Sequence, residues 1–197
     1  MYGRCMPWVL LKPDVSGSVE GEDQVNPVNE GRAMTTGQMQ AVGRQDEADA
    51  SQRTRTKLAG RCVLLVEDDE AVRALIALLL NDLGVEVVEL GDGIEALNYV
   101  AASEVYRRSV RRPDLIVADI NMPNFSGLDL LMGLRESRVR PPVVLVTAVN
   151  DEDIQAEARR LGAVSIVQKP FEVDELLGEV AGALLRAEQS DEDLVEG

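Results

Sequence analysis

The chain has 197 residues, 45% of them hydrophobic, enough for one ordinary domain with a real core plus extra segments. A formal charge of -15 and a pI near 4.4 exclude general attraction to phosphate backbones or anionic lipid, so direct nucleic-acid binding is not expected. Histidine is absent, which removes Ser-His hydrolysis, His-ligated metals and any role as the histidine donor of a phosphorelay.

Residues 1–57 mix Gly, Ser, Gln, Asn, Asp and Glu with scattered Val and Met and keep no period of 2 or 3.6, so the segment reads as a disordered N-terminal extension. Pro7 breaks the short apolar patch at Trp8–Leu11 from the start of the chain, and no signal peptide is read. Cys5 lies in this irregular start and Cys62 in an apparent buried strand, which speaks against a disulfide framework and for a reducing cytoplasm. The longest unbroken apolar run, Ala74–Leu80, falls far short of the roughly 20 residues that cross a bilayer, so no membrane insertion is expected.

From residue 58 the pattern changes to short apolar runs alternating with amphipathic stretches, and a domain is expected over 58–188. A strand at Cys62–Val66 precedes a helix at Glu70–Leu83, in which Val72, Leu75, Ile76, Leu79, Leu80 and Leu83 share one face. Further strands fall near Val85–Leu90, Leu115–Ala118, Val143–Val146 and Val164–Gln168. Helices fall near Ile94–Ala102, Leu128–Ser137, Glu152–Leu161 and Glu172–Arg186. Five β-α units with continuous apolar strands predict a doubly wound α/β fold, a parallel sheet covered on both faces. The flavodoxin-like strand order 2-1-3-4-5 suits units of this size. The Arg-rich connection Ser103–Pro113 reads first as a solvated loop and second as a partner contact. Residues 189–197 form a short acidic tail.

In open α/β sheets the working crevice lies beyond the carboxyl ends of the strands. There the sequence places Glu67, Asp68 and Asp69 after the first strand, Asp119 after the third, Thr147 after the fourth, and Lys169-Pro170 after the fifth. Clustered carboxylates repel one another unless a cation holds them, and an all-oxygen donor set suits Mg²⁺ better than zinc. A carboxylate is a competent nucleophile toward phosphorus, but it must approach an anionic group. Mg²⁺, the Lys169 ammonium and the Thr147 hydroxyl would supply the compensating charge and hydrogen bond. No Gly-x-Gly-x-x-Gly follows the first strand and no Walker A loop is present, which argues against dinucleotide or flavin binding.

Val-Glu-Asp-Asp-Glu at 66–70, Asp-Ile-Asn-Met-Pro-Asn-Phe-Ser-Gly at 119–127, Val-Thr-Ala at 146–148 and Gln-Lys-Pro-Phe at 168–171 together resemble the signatures of response-regulator receiver domains. Each piece alone is weak, but four in the right order at the right strand ends are specific. The resemblance implies that Asp119 is the phosphoacceptor, assisted by Thr147 and Lys169. It implies that Asp68 binds Mg²⁺ directly, Glu67 through water, and Asn121 through its backbone carbonyl. It makes Asp69 a helix N-cap and the Lys169–Pro170 bond cis. The partners it implies are a sensor histidine kinase or histidine phosphotransfer protein upstream, with no enzyme activity on an outside substrate; the short stretch after the fifth helix leaves no room for an output domain in expectation, so output through contact with a downstream protein is expected.

The pattern departs from the family at Ile166, three residues before the lysine, where Tyr or Phe is usual. Without a ring to swing, the threonine-aromatic coupling of the family is replaced in expectation by backbone movement of the Thr147–Asp151 loop and the fourth helix of the domain.

Overall fold

The computed structural model describes residues 49–148 and 150–193. Most of the N-terminal extension, including Cys5, and the last part of the acidic tail lie outside the described residues, as does Val149 in the Thr147–Asp151 loop.

A helix over residues 49–58, here α1, occupies the end of the segment expected to be irregular. It belongs to the domain because Leu58 is only 1% exposed and joins the core, while Arg55 pairs with Asp82 at 2.6 Å. The elements then run β1 (Cys62–Val66), α2 (Glu70–Asp82), β2 (Glu86–Leu90), α3 (Gly93–Val105), β3 (Leu115–Asp119), α4 (Gly127–Leu134), β4 (Val143–Thr147), α5 (Glu152–Leu161), β5 (Ser165–Gln168) and α6 (Val173–Asp193). The five strands form one parallel sheet in the order β2-β1-β3-β4-β5, as the alternation predicts.

Every residue of β1, β3 and β4 is buried, which explains why these strands read as continuous apolar runs; the edge strands β2 and β5 are more open. Strand alternation divides the core in two. Val63 and Leu65 point to the face covered by α2 and α6, whereas Cys62, Leu64 and Val66 point to the face covered by α3, α4 and α5. Five parallel strands therefore reach one carboxyl edge together, and the polar residues after them meet there.

Three expectations change in detail. The inward face of α2 consists of Ile76, Ala77, Leu80 and, just beyond it, Leu83, while Leu75 is 56% exposed. Six consecutive apolar residues from Leu75 to Leu80 ring the helix, so periodicity alone could not choose the buried side. The second change is that α3 absorbs the first residues of the Arg-rich connection. Glu104 there accepts hydrogen bonds from the Ser137 hydroxyl and, at 2.9 Å, from the Val139 N–H, tying the end of α3 to the connection before β4. Those bonds hold the Glu104 carboxyl below its ordinary range. Arg111 donates to Glu86 at 2.6 Å and to the Gly60 carbonyl, so part of the basic loop is bound to its own chain. Lastly, α6 continues to Asp193 because neither Gly nor Pro interrupts it after Gly182.

Cys62 is 1% exposed, and burial pushes its thiol upward against the opposing charge of Arg111 and a hydrogen bond with Tyr99. A thiol both inaccessible and protonated is a poor nucleophile. Native protein treated with iodoacetamide at pH 8 should therefore give an unmodified Cys62 peptide, with alkylation appearing only in denaturant. Alkylation of Cys62 at a small-thiol rate in native buffer would contradict the burial described.

A candidate carboxylate–lysine phosphoacceptor site

The site is built where β1, β3, β4 and β5 end. Glu67 follows β1 and is 2% exposed; Asp119 closes β3 and is 8% exposed; Thr147 closes β4 and is fully buried. Lys169 follows β5, and its Nζ donates to Glu67 Oε2 at 2.7 Å and to Asp119 Oδ2 at 3.0 Å. One ammonium thus links the ends of β1, β3 and β5. The Lys169–Pro170 bond is cis, as the resemblance implies, and the Lys169 N–H donates to the Thr147 carbonyl at 2.6 Å.

The other Asp119 oxygen, Oδ1, accepts from the Asn121 N–H at 3.1 Å. The Asn121 side-chain amide donates to Thr147 Oγ1 at 3.4 Å, a long bond that brings the threonine hydroxyl into the same network. Carboxylate oxygens of Glu67, Asp68 and Asp119 lie within 4.8 Å of one another. Asp68 is the exposed member, facing the crevice from the solvent side. Three oxygen donors at this spacing fit a hard divalent cation such as Mg²⁺. The Asp69 N–H donates to Glu67 Oε1 at 3.4 Å, but its side chain turns to α2: its Oδ1 accepts from the Ala71 and Val72 N–H groups at 2.9 and 3.0 Å, making it the N-cap of that helix.

The electrostatics follow from burial. Desolvation pushes the Glu67 carboxyl above its ordinary range, while the hydrogen bond and charge of Lys169 pull it down and the charge of Asp119 adds repulsion. On Lys169 burial opposes the charge, yet the hydrogen bonds to Glu67 and Asp119 and the negative charges of both raise the ammonium above its ordinary value. The lysine is held protonated.

Residues not singled out in the sequence support this arrangement. Arg73 Nη1 donates to the Glu67 carbonyl at 2.7 Å and its Nε lies 3.8 Å from Glu89, which fixes the backbone that carries the acidic pair. A Cβ on Gly93 would fall 2.4 Å from the Phe125 ring, so that glycine lets the loop after β3 pack against the start of α3. No local sequence signal separates these roles from ordinary packing. Ile166 is half-buried in β5 and packs on the α3, α4 and α5 face.

A doubly wound parallel sheet whose carboxyl edge gathers an acidic pair, a strand-end aspartate and a bridging lysine defines an α/β domain with an acidic, lysine-bridged site able to hold a divalent cation. Residues 63–181, more than half of the chain, match the response regulator receiver domain family, and the chain belongs to it. Aspartyl phosphorylation and Mg²⁺ are general features of this family in two-component signalling. Among curated proteins, the transcriptional regulatory protein PdtaR of Mycobacterium tuberculosis is 34% identical over 127 residues, covering 64% of this chain and 58% of that protein. The alkaline phosphatase synthesis transcriptional regulatory protein SphR of Synechococcus elongatus is 35% identical over 129 residues, covering 65% of this chain and 50% of its own length. The chain thus spans about half the length of these relatives. Among solved structures, the signal receiver domain of a protein described as a Luxo repressor from Vibrio parahaemolyticus superposes with a TM-score of 0.61 at 30% identity, covering 70% of this chain and 98% of that one. The receiver domain of the Francisella response regulator 1452 gives 0.57 at 28% identity, covering 64% and 98%.

Proposed function

We propose that this chain is a signalling receiver whose Asp119 accepts a phosphoryl group from a phosphohistidine on a sensor histidine kinase or histidine phosphotransfer protein. The observation that carries the reading is the grip of Lys169 on Asp119 Oδ2 at 3.0 Å, which sets a protonated amine beside the proposed nucleophile. A carboxylate oxygen of Asp119 attacks phosphorus, the phosphorus–nitrogen bond of the donor breaks, and the leaving imidazole nitrogen takes the electron pair and a proton from water. Lys169 then pairs with a phosphoryl oxygen in place of Asp119 Oδ2, and the Thr147 hydroxyl donates to another.

Glu67, Asp68, Asp119 and the Asn121 carbonyl are the residues proposed to hold Mg²⁺. When bound, the ion supplies charge that neutralises the carboxylates and the incoming oxygens. The chain catalyses only its own phosphorylation and dephosphorylation, and it acts by contact with a downstream protein in the cytoplasm. A net charge of -15 favours a protein partner over direct contact with nucleic acid. Among the described residues no helix is long and apolar enough to cross a membrane.

The assignment of the acceptor is tested by incubating the chain with acetyl phosphate and Mg²⁺, trapping the acyl phosphate by borohydride reduction, and mapping the peptides. Reduction at Asp119, dependent on Mg²⁺, is expected. Reduction at Asp68 or Glu67 instead would overturn it.

A further inference from the structure

A cavity lies at the opposite, amino-terminal edge of the sheet, with a volume of about 720 Å³. Its walls come from residues just before β1, β3, β4 and β5, from the ends of α4 and α5, and from late α6. Five arginines line it, Arg61, Arg112, Arg135, Arg140 and Arg186, against one carboxylate, Asp114. That carboxylate is already engaged, accepting from Arg61 at 3.1 Å and from the Cys62 N–H at 2.7 Å. Arg140 is partly engaged, donating to the carbonyls of Ser137 and Arg135 at 3.0 and 2.6 Å. The guanidinium groups of Arg112 and Arg135 have no ion-pair partner among the described residues.

Such a concentration of positive charge stands out in a chain with a formal charge of -15. Arginines at helix carboxyl ends often do no more than cap carbonyls, and Arg140 does this. That role does not account for Arg112, which precedes a strand. Like charges so gathered repel, and an anion of several charges relieves the repulsion. The lining also includes apolar residues, Leu134, Pro142, Leu161 and Val164 among them, and the volume lies within the range of small-ligand sites. A small inorganic anion would leave most of this volume, and the apolar residues in its lining, unfilled.

We infer that this cavity binds a nucleoside di- or triphosphate, its phosphates on Arg112 and Arg135 and its base against the apolar residues of the lining. Guanidinium forks match phosphate oxygens two at a time, and their planes stack on flat rings. Asp119 and the basic cavity stand at opposite edges of strands five residues long, roughly 17 Å of rise, so the site is separate from the acidic cluster.

The test is isothermal titration of the full chain with ATP, GTP and pyrophosphate, in EDTA so that no divalent ion draws nucleotide to the acidic cluster. Saturable nucleotide binding is expected at least about tenfold tighter than pyrophosphate, and roughly tenfold or more weaker in Arg112→Glu and in Arg135→Glu. Asp119→Ala should bind nucleotide like the parent chain, which keeps this inference independent of the phosphoacceptor assignment. Unchanged circular dichroism and acetyl phosphate labelling would establish that the arginine variants are folded. Absence of saturable nucleotide binding at millimolar concentration, equal affinity for pyrophosphate, or unchanged affinity in folded arginine variants would each overturn it.

Discussion

Lys169→Ala is expected to slow phosphoryl uptake from acetyl phosphate by roughly two orders of magnitude or more, the typical loss when one preorganised donor to a developing anion is removed, while Asp119→Ala stops it altogether. The same substitution has a second consequence. Lys169 is the cation bonded to both Glu67 and Asp119, whose side chains are 3% and 9% exposed, and its own is 21% exposed. Removing it leaves two carboxylates facing each other in a poorly hydrated crevice. A cost of about 1–3 kcal/mol follows from the loss of charged hydrogen bonds, short of a fully buried pair because water reaches Lys169. Since the proposed Mg²⁺ would relieve the same repulsion, it should raise the melting temperature of Lys169→Ala by more than that of the parent. An equal Mg²⁺ effect on both proteins would show that the lysine and the ion do not compensate the same charges.

Gly127→Ala is the substitution expected to damage the framework most for its size. A Cβ there would stand 2.6 Å from the Asp119 carbonyl oxygen, 3.0 Å from Leu145 Cδ2 and 3.1 Å from the Ile120 Cα. Two of those neighbours are backbone in or beside β3, and they cannot swing away as a side chain can. Helix propensity argues the other way, since alanine is preferred to glycine at most helical positions by up to about 1 kcal/mol. Gly127 is the first residue of α4, however, and its N–H is fixed to the Ile120 carbonyl at 3.1 Å. Overpacking should win, destabilising by about 2–3 kcal/mol in urea unfolding. Because the clash bears on Asp119 itself, phosphoryl uptake should fall along with stability. A variant as stable as its parent would mean that α4 can lift from β3 without penalty.

The sheet was legible in the sequence because its central strands are buried on both faces, so β1, β3 and β4 appear as unbroken apolar runs ending in polar residues. The site was legible for the same reason: parallel strands put Glu67, Asp119, Thr147 and Lys169 at one edge whatever their spacing in the chain. What could not be read is how neighbouring faces share the burial. Leu75 and Ile76 look alike to any periodicity argument, and only the placement of α2 against α6 and the sheet buries Ile76 and leaves Leu75 outside. The contact made by Arg73 could not be read either, since it runs to a backbone carbonyl six residues earlier. The arginine cavity draws on five places in the chain, none of which is a motif alone.

Leu58 gives the domain a practical boundary. It closes α1, is 1% exposed, and touches the core on the α2 and α6 face, yet the family match begins only at Val63. A shortened protein cut at the match would lose that side chain and the Arg55–Asp82 pair, opening an apolar notch beside Leu83 and Val85. Sticky, heat-labile preparations are the expected result of such trimming, and a cut ahead of residue 49 the way to avoid them.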